Sequence, residues 1–214
     1  MLVKPRLDYV VCFSTDLEGN GLPTTIGGKS IALVRTGVGP VNAAFALTRF
    51  LSDNDAGAVI SCGVGGAYPG SSLAPGDVVC AESETYGDLG ADSPDGFLDM
   101  QAIGFPVIAG AEPLYNRLPL DLFPAKHRVP FVTCATCTGI DADARTLVQR
   151  TGGAVESMEG AAIVHVARLM GVPVGEVRGI SNTVGNRERN AWRIPEAAAA
   201  ARASLIEWIE ERAC

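Results

Sequence analysis

Short apolar runs alternate along this chain with segments of helical periodicity, and that alternation restricts the fold more than any other feature. Strand-like runs are expected at residues 9–14, 30–35, 58–62, 77–81, 129–134, 154–156 and 174–180. Helical periodicity is expected from 41 to about 51 and over 141–150, 158–170 and 196–212, the last of these amphipathic. Glycine punctuates the pattern twice near the start. Thr36-Gly37-Val38-Gly39-Pro40 leads into the first helix, and Gly63-Val64-Gly65-Gly66-Ala67 follows the third apolar run as a turn. Residues 86–127 are rich in Pro, Gly and Asp and only weakly periodic; they are read as an excursion over the mouth of a functional site. The order predicts an α/β protein, a mixed twisted β-sheet flanked by helices, in a single domain over 1–214 with no internal repeat.

Composition narrows what such a fold could do. With 47% hydrophobic and 19% charged residues, the chain is expected to be globular rather than disordered. A net charge of −7 without a basic stripe argues against nucleic-acid binding, since nothing would neutralise the phosphates. The N-terminal residues carry Lys4, Arg6 and Asp8 and no apolar h-region, and no apolar stretch reaches the length of a membrane span. A cytoplasmic protein is therefore expected. Of six cysteines, 12, 62, 80 and 134 lie in apolar runs and read as buried thiols, with Cys214 at the end. Cys134 and Cys137 form a lone CxxC with no second pair and no nearby histidine, so structural thiols are expected rather than a metal or redox centre.

The chemistry concentrates late in the chain. In Val155-Glu156-Ser157-Met158-Glu159-Gly160-Ala161-Ala162, Glu159 is expected in the first turn of a nearly all-apolar helix, where the helix dipole favours an ionised carboxylate. An acid leading a helix too apolar to be exposed faces something that needs it. The run Val177-Arg178-Gly179-Ile180-Ser181-Asn182 ends a buried strand in polar residues, where α/β sheets place ligands. Arg178 interrupts that strand and requires a carboxylate partner, in either a structural or a catalytic pairing.

The M-E-G-A helix followed by V-R-x-I-S-N resembles the nucleoside phosphorylase and nucleosidase superfamily, and the two glycine segments sit where that superfamily has its glycine loops. Three longer stretches, Gly65 to Gly70, Asp92 to Leu98 and Ser181 to Arg187, resemble its futalosine-hydrolysing branch, which works in menaquinone biosynthesis. The resemblance implies a nucleoside phosphorylase-like fold, cleavage of a purine–ribose bond, a homo-oligomer, and no metal or organic cofactor. Acidity of the whole chain does not exclude a small nucleoside, because a pocket sets its own field.

Two acceptors, water and phosphate, are possible in such a site. Ser14-Thr15-Asp16-Leu17-Glu18 offers two carboxylates and no arginine, and Val64 stands where the phosphorylases tend to carry a hydroxyl. Carboxylates repel a phosphate dianion but take a proton from water, so hydrolysis is expected. Glu18 matches the general base of the resembling nucleosidases, with Asp16 as the alternative. The resemblance gives Arg178 a part in holding the water, Glu159 the ribose hydroxyls, and Met158 the face of the sugar, with Gly65 and Ser181 beside the substrate. Phe97 and Tyr68 are expected either to stack over the pocket or to anchor packing. His165 reads as a core or interface histidine. Arg187, Glu188 and Arg189 read either as contacts to the far end of the substrate or as a solvated charge run.

Asn182 departs from the adenine-releasing members, which carry aspartate at the matching position. An amide has both an acceptor and a donor, so it can accept from a protonated N7 and donate to a 6-oxo group. A 6-oxopurine base such as hypoxanthine is expected.

Overall fold

The computed structural model describes residue 4, residues 6–188 and residues 191–213; Arg189 and Cys214 lie outside the described residues. The elements run β1 (Arg6–Phe13), α1 (Asp16–Gly19), β2 (Thr25–Ile26), β3 (Lys29–Arg35), α2 (Pro40–Asp53), β4 (Asp55–Ala67) and β5 (Val78–Tyr86). They continue as β6 (Gly90–Ser93), β7 (Gly96–Asp99), α3 (Met100–Ile103), β8 (Arg117–Pro119), β9 (Arg128–Thr133), α4 (Asp141–Thr151), β10 (Val155–Ser157), α5 (Gly160–Leu169), β11 (Val174–Thr183) and α6 (Ile194–Glu210).

One mixed sheet has the order β10-β9-β5-β11-β4-β1-β3-β2, with β8 paired to β5. β10 also pairs antiparallel with the end of β4, through Val155–Ala67 and Glu156–Gly66. Five strands, β10, β9, β5, β11 and β4, therefore close into a ring, and the ends of β4, β10 and β11 meet at one rim.

Alternation along the strands builds two cores, because successive side chains point to opposite faces. Val10, Cys12 and Val59 face α2 and α5, where they meet Leu47, Leu51, Ile163 and Val164. Val11, Ile60, Cys62 and Val177 face α6 and pack against Leu205, Trp208 and Ile209. Each large aliphatic side chain buried this way contributes about 1.5–3 kcal/mol. Burial pushes the Cys12 and Cys62 thiols up to about 12, which keeps them protonated.

Four local readings are corrected by the structure. Gly63-Val64-Gly65-Gly66-Ala67 is not a turn; it completes the thirteen-residue β4. The run at 77–81 continues to Tyr86. The helix expected from 158 begins at Gly160, so Met158 and Glu159 precede it. Residues 86–127 hold the β6–β7 hairpin, α3 and β8; Val107, Ile108 and Leu114 pack onto the first core, and His165 of α5 contacts the Val107 carbonyl at 2.9 Å and the Tyr86 hydroxyl at 3.2 Å. In this chain the segment buttresses the sheet and does not cover the cavity described below. α1 and β2, too short to show periodicity, were not foreseen.

β11 meets α6 so closely at Gly179 that an added Cβ would overlap the Ala197 carbonyl and Cα. Gly179→Ala should cost about 1–3 kcal/mol by overpacking, measured as a lower midpoint in urea unfolding; an unchanged midpoint would mean that α6 can move aside freely.

Candidate active site

At the rim where β4, β10 and β11 end lies a cavity of about 230 Å³. Its wall includes Ser14, Thr15 and Glu18 beyond β1, Val38 before α2, Val64 to Gly66 of β4, Glu156 to Glu159, and Ser181 and Asn182 of β11. Cys137, Thr138, Val184, Arg187, Trp192 and Ile194 close it.

Arg178 sits beneath this cavity with a side chain only 2% exposed. Its Nε donates to Glu176 Oε1 at 2.7 Å, Nη2 donates to Ser61 Oγ at 3.0 Å, and Nη1 donates to the Val64 carbonyl at 3.2 Å. Nη1 also lies 3.9 Å from Glu18 Oε1 and 3.8 Å from Glu159 Oε2. Burial works against the guanidinium charge, but Glu176, Glu159 and Glu18 outweigh it and raise its pKa. The partner that the sequence demanded is a set of three carboxylates.

Glycine makes this crowding possible. Gly63 pairs with Arg178 across the β4–β11 ladder. A Cβ there would overlap Glu18 Oε1 and sit 2.7 Å from Arg178 Nη1. A Cβ on Gly66 would come within 3.2 Å of Asn182 Nδ2, and one on Gly65 within 2.7 Å of Val155 Cγ1. Gly63 supplies room for two charged side chains, and Gly65 and Gly66 supply it for Val155, Val184 and Asn182; none of them serves turn geometry here.

Glu18 is fixed from two sides. The one-turn helix α1 lets its Oε2 accept from the Thr15 N–H at 2.9 Å and the Thr15 hydroxyl at 3.0 Å, while Oε1 accepts from Val64 N–H at 3.0 Å. Asp16 is not at the cavity; it pairs with Arg35 at 3.1 Å on the surface. Of the two candidates for the base, the structure brings Glu18 alone to the site.

Glu159 is the N-cap residue of α5, but its side chain makes no cap hydrogen bond to that helix. Its Oε1 accepts from the Gly39 N–H at 2.9 Å, and Gly39 reaches it through a backbone φ of 94°, open to glycine. Burial pushes the Glu159 carboxyl upward, Arg178, the Gly39 N–H and the Ser14 hydroxyl pull it back, and Glu18 adds to the rise. At the head of α5, this buried carboxyl is held by a loop N–H and a guanidinium and not by the N–H groups of its own helix.

A register shift in β11 between Ile180 and Asn182 turns the strand end toward the cavity. Ser181 Oγ donates to Asn182 Oδ1 at 2.7 Å, and Asn182 Nδ2 donates to the Thr183 carbonyl at 3.0 Å. Met158 lines the wall with its sulfur 3.1 Å from Cys137 Sγ. Phe97 is corrected: it lies outside the cavity, with the Arg150 guanidinium 3.8 Å above its ring. Tyr68 is a packing anchor whose hydroxyl donates to Glu156 Oε2 at 2.6 Å. Glu188 does not line the cavity, whereas Arg187 does, 4.8 Å from the Trp192 ring.

Sequence reasoning missed Trp192, Cys137 and Glu156 as wall residues. Trp192 and Cys137 lie in irregular segments without a periodic signal. Glu156 stood inside the quoted motif, but its partners, Tyr68 and the Thr138 N–H at 2.8 Å, are remote in sequence.

Three carboxylates and an amide line one cavity at the ends of strands, with a guanidinium beneath it. Comparison makes the class specific. The family model of the Phosphorylase superfamily matches residues 10–210, and the chain belongs to that superfamily. Futalosine hydrolase of Streptomyces coelicolor is 39% identical over 78% of this chain and 74% of that protein. Futalosine hydrolase of Acidothermus cellulolyticus is 39% identical over 92% of this chain and 86% of that protein. Among solved structures, the 5'-methylthioadenosine/S-adenosylhomocysteine nucleosidase of Neisseria meningitidis, bound to methylthio-immucillin-A, has the same fold. Its TM-score is 0.80 at 18% identity, over 95% of this chain and 99% of that one.

The raised Glu159 pKa carries a stability consequence. A carboxyl that binds its proton more tightly folded than unfolded contributes stability below its unfolded pKa and loses it as pH rises through the folded value. Glu159→Gln should therefore unfold at higher temperature than the wild type at neutral pH, with the gain vanishing in acid. Its turnover should fall by about 10²–10³-fold. Equal melting temperatures at neutral pH would contradict the assignment.

Proposed function

We propose that this protein hydrolyses the N-glycosidic bond of futalosine, releasing hypoxanthine and dehypoxanthine futalosine. The observation that carries this reading is the shared cavity: Glu18, Glu159 and Asn182 all line it, with Arg178 directly beneath. The kinship with futalosine hydrolases supports the substrate.

Loss of the base leaves a ribose with oxocarbenium character. Glu18 accepts a proton as water adds to the anomeric carbon, and its three donors hold it in place for that task. Glu159 accepts from ribose hydroxyls, and its charge favours the developing cation. As the C–N bond breaks, the electron pair goes to the purine, whose N7 takes a proton from solvent and so balances the proton that Glu18 removes from the attacking water. Asn182 Oδ1 has one lone pair beyond its bond to Ser181, and Nδ2 has one hydrogen beyond its bond to Thr183. Those two free valences suit N7–H and a 6-oxo group. Met158 packs against the sugar, and Gly65 and Ser181 form the wall beside it.

Water is favoured over phosphate as the acceptor. The inner wall carries Glu18, Glu156 and Glu159, and the donors of Arg178 are engaged by Glu176, Ser61 and Val64. Among the described wall residues, Arg187 is the one other guanidinium, and it lies by Trp192.

The same reading gives a homo-oligomer: Val41 and Phe45, at the start of α2 beside the cavity-lining Val38, are 80% and 66% exposed. It also places the enzyme in the cytoplasm. The described cysteines are free thiols, and no helix among the described residues is long and apolar enough to cross a membrane.

Futalosine incubated with the protein in phosphate-free buffer should yield hypoxanthine and no sugar phosphate, followed by chromatography; a strict phosphate requirement would overturn the reaction. Asn182→Asp should shift the ratio of kcat/KM for futalosine over its 6-amino analogue by about tenfold or more toward the amino base. An unchanged ratio would remove Asn182 from base recognition.

A further inference from the structure

Behind Arg178, away from the cavity, two carboxyl groups lie buried with no part in the chemistry above. Glu84 of β5 and Glu176 of β11 are both fully buried. Glu176 Oε1 accepts from Arg178 Nε at 2.7 Å and from the Ser61 hydroxyl at 3.4 Å, and Ser61 in turn accepts from Arg178 Nη2. Glu84 Oε2 accepts from the Thr133 hydroxyl at 2.9 Å, and Thr133 accepts from the Ala161 N–H at 2.8 Å in the first turn of α5. The remaining oxygens, Glu84 Oε1 and Glu176 Oε2, have no other donor. Both crowd the same point: a Cβ on Gly160 would overlap each of them.

We propose that Glu84 and Glu176 share one proton, and that this singly charged dyad positions Arg178 behind Glu18 and Glu159. Two ionised carboxylates in contact and out of water repel each other and lack donors, whereas one proton between them satisfies both orphaned oxygens. Burial first, then the Glu176 charge, pushes the Glu84 carboxyl upward, against the smaller pull of Thr133 and Arg178. The other ionisable neighbours of Glu84 are Tyr86 on its own strand, which contacts His165 of α5, and Cys134 beyond β9; at Gly160, α5 faces it with backbone. The dyad also ties Arg178 to the start of α5, next to Glu159. Glu84 and Glu176 are positioning residues, and their bearing on turnover rests on the hydrolysis proposed above.

Infrared spectra of the substrate-free protein at neutral pH test the shared proton independently of that reaction. A protonated-carboxyl C=O band should be present in the wild type, persist in Glu159→Gln, and vanish in Glu84→Gln. Its absence from the wild type, or its loss in Glu159→Gln, would overturn the dyad, whether or not Glu84→Gln folds. Kinetics test the positioning. Glu84→Ala should lose about a hundredfold in kcat with KM little changed, as expected when a catalytic group is displaced. Glu84→Gln, whose amide can donate to Glu176 in place of the acid, should recover most of that loss. It should also flatten the alkaline fall in kcat, where the wild-type dyad gives up its proton. Full activity in Glu84→Ala, or an alkaline limb unchanged in Glu84→Gln, would end the positioning role.

Discussion

A guanidinium taken out of water must be surrounded by acceptors, and in this protein the acceptors of Arg178 shape the site. Glu176 holds it from behind, Ser61 and the Val64 carbonyl hold its flanks, and Glu18 and Glu159 face it from the cavity. Removing the guanidinium itself would leave the buried carboxylates around it uncompensated, at a cost of about 3–5 kcal/mol. In the proposed reaction the cluster is therefore structural and functional at once. It fixes where two carboxylates stand, and it spends the donors that would otherwise attract an anion.

The fold serves this cluster. Closing β10 onto β4 brings the ends of three strands to one rim, and the glycines of β4 leave space there for side chains from β11 and α1. The hydrophobic cores on either side of the sheet hold α5 and α6 in place.

Much of this was legible before the structure. The alternation of runs gave the α/β order, because long strands and helices each keep a single period. The necessity of a carboxylate partner for Arg178 followed from the cost of burying its charge. What escaped was three-dimensional crowding. Gly63, Gly65 and Gly66 read as a turn because a sequence shows a missing side chain without showing what fills the gap. Glu159 stands at the head of its helix as expected, but its donor, Gly39, is 120 residues away and could not be foreseen. Phe97 read either as a pocket aromatic or as a packing anchor, and spacing could not show that its ring lies under the Arg150 guanidinium. The pair of Glu84 and Glu176 left no trace in spacing, since their strands are neighbours only in the sheet.

The central claim is that one nucleoside touches the water-side glutamate, the sugar-side glutamate and the base-reading amide together. A crystal structure with an unreactive futalosine analogue tests it most directly. The account predicts an ordered water between Glu18 and the anomeric carbon, ribose hydroxyls on Glu159, and the 6-oxo group and N7 on Asn182. An analogue bound with its sugar away from Glu18 and Glu159, or with its purine out of reach of Asn182, would contradict it.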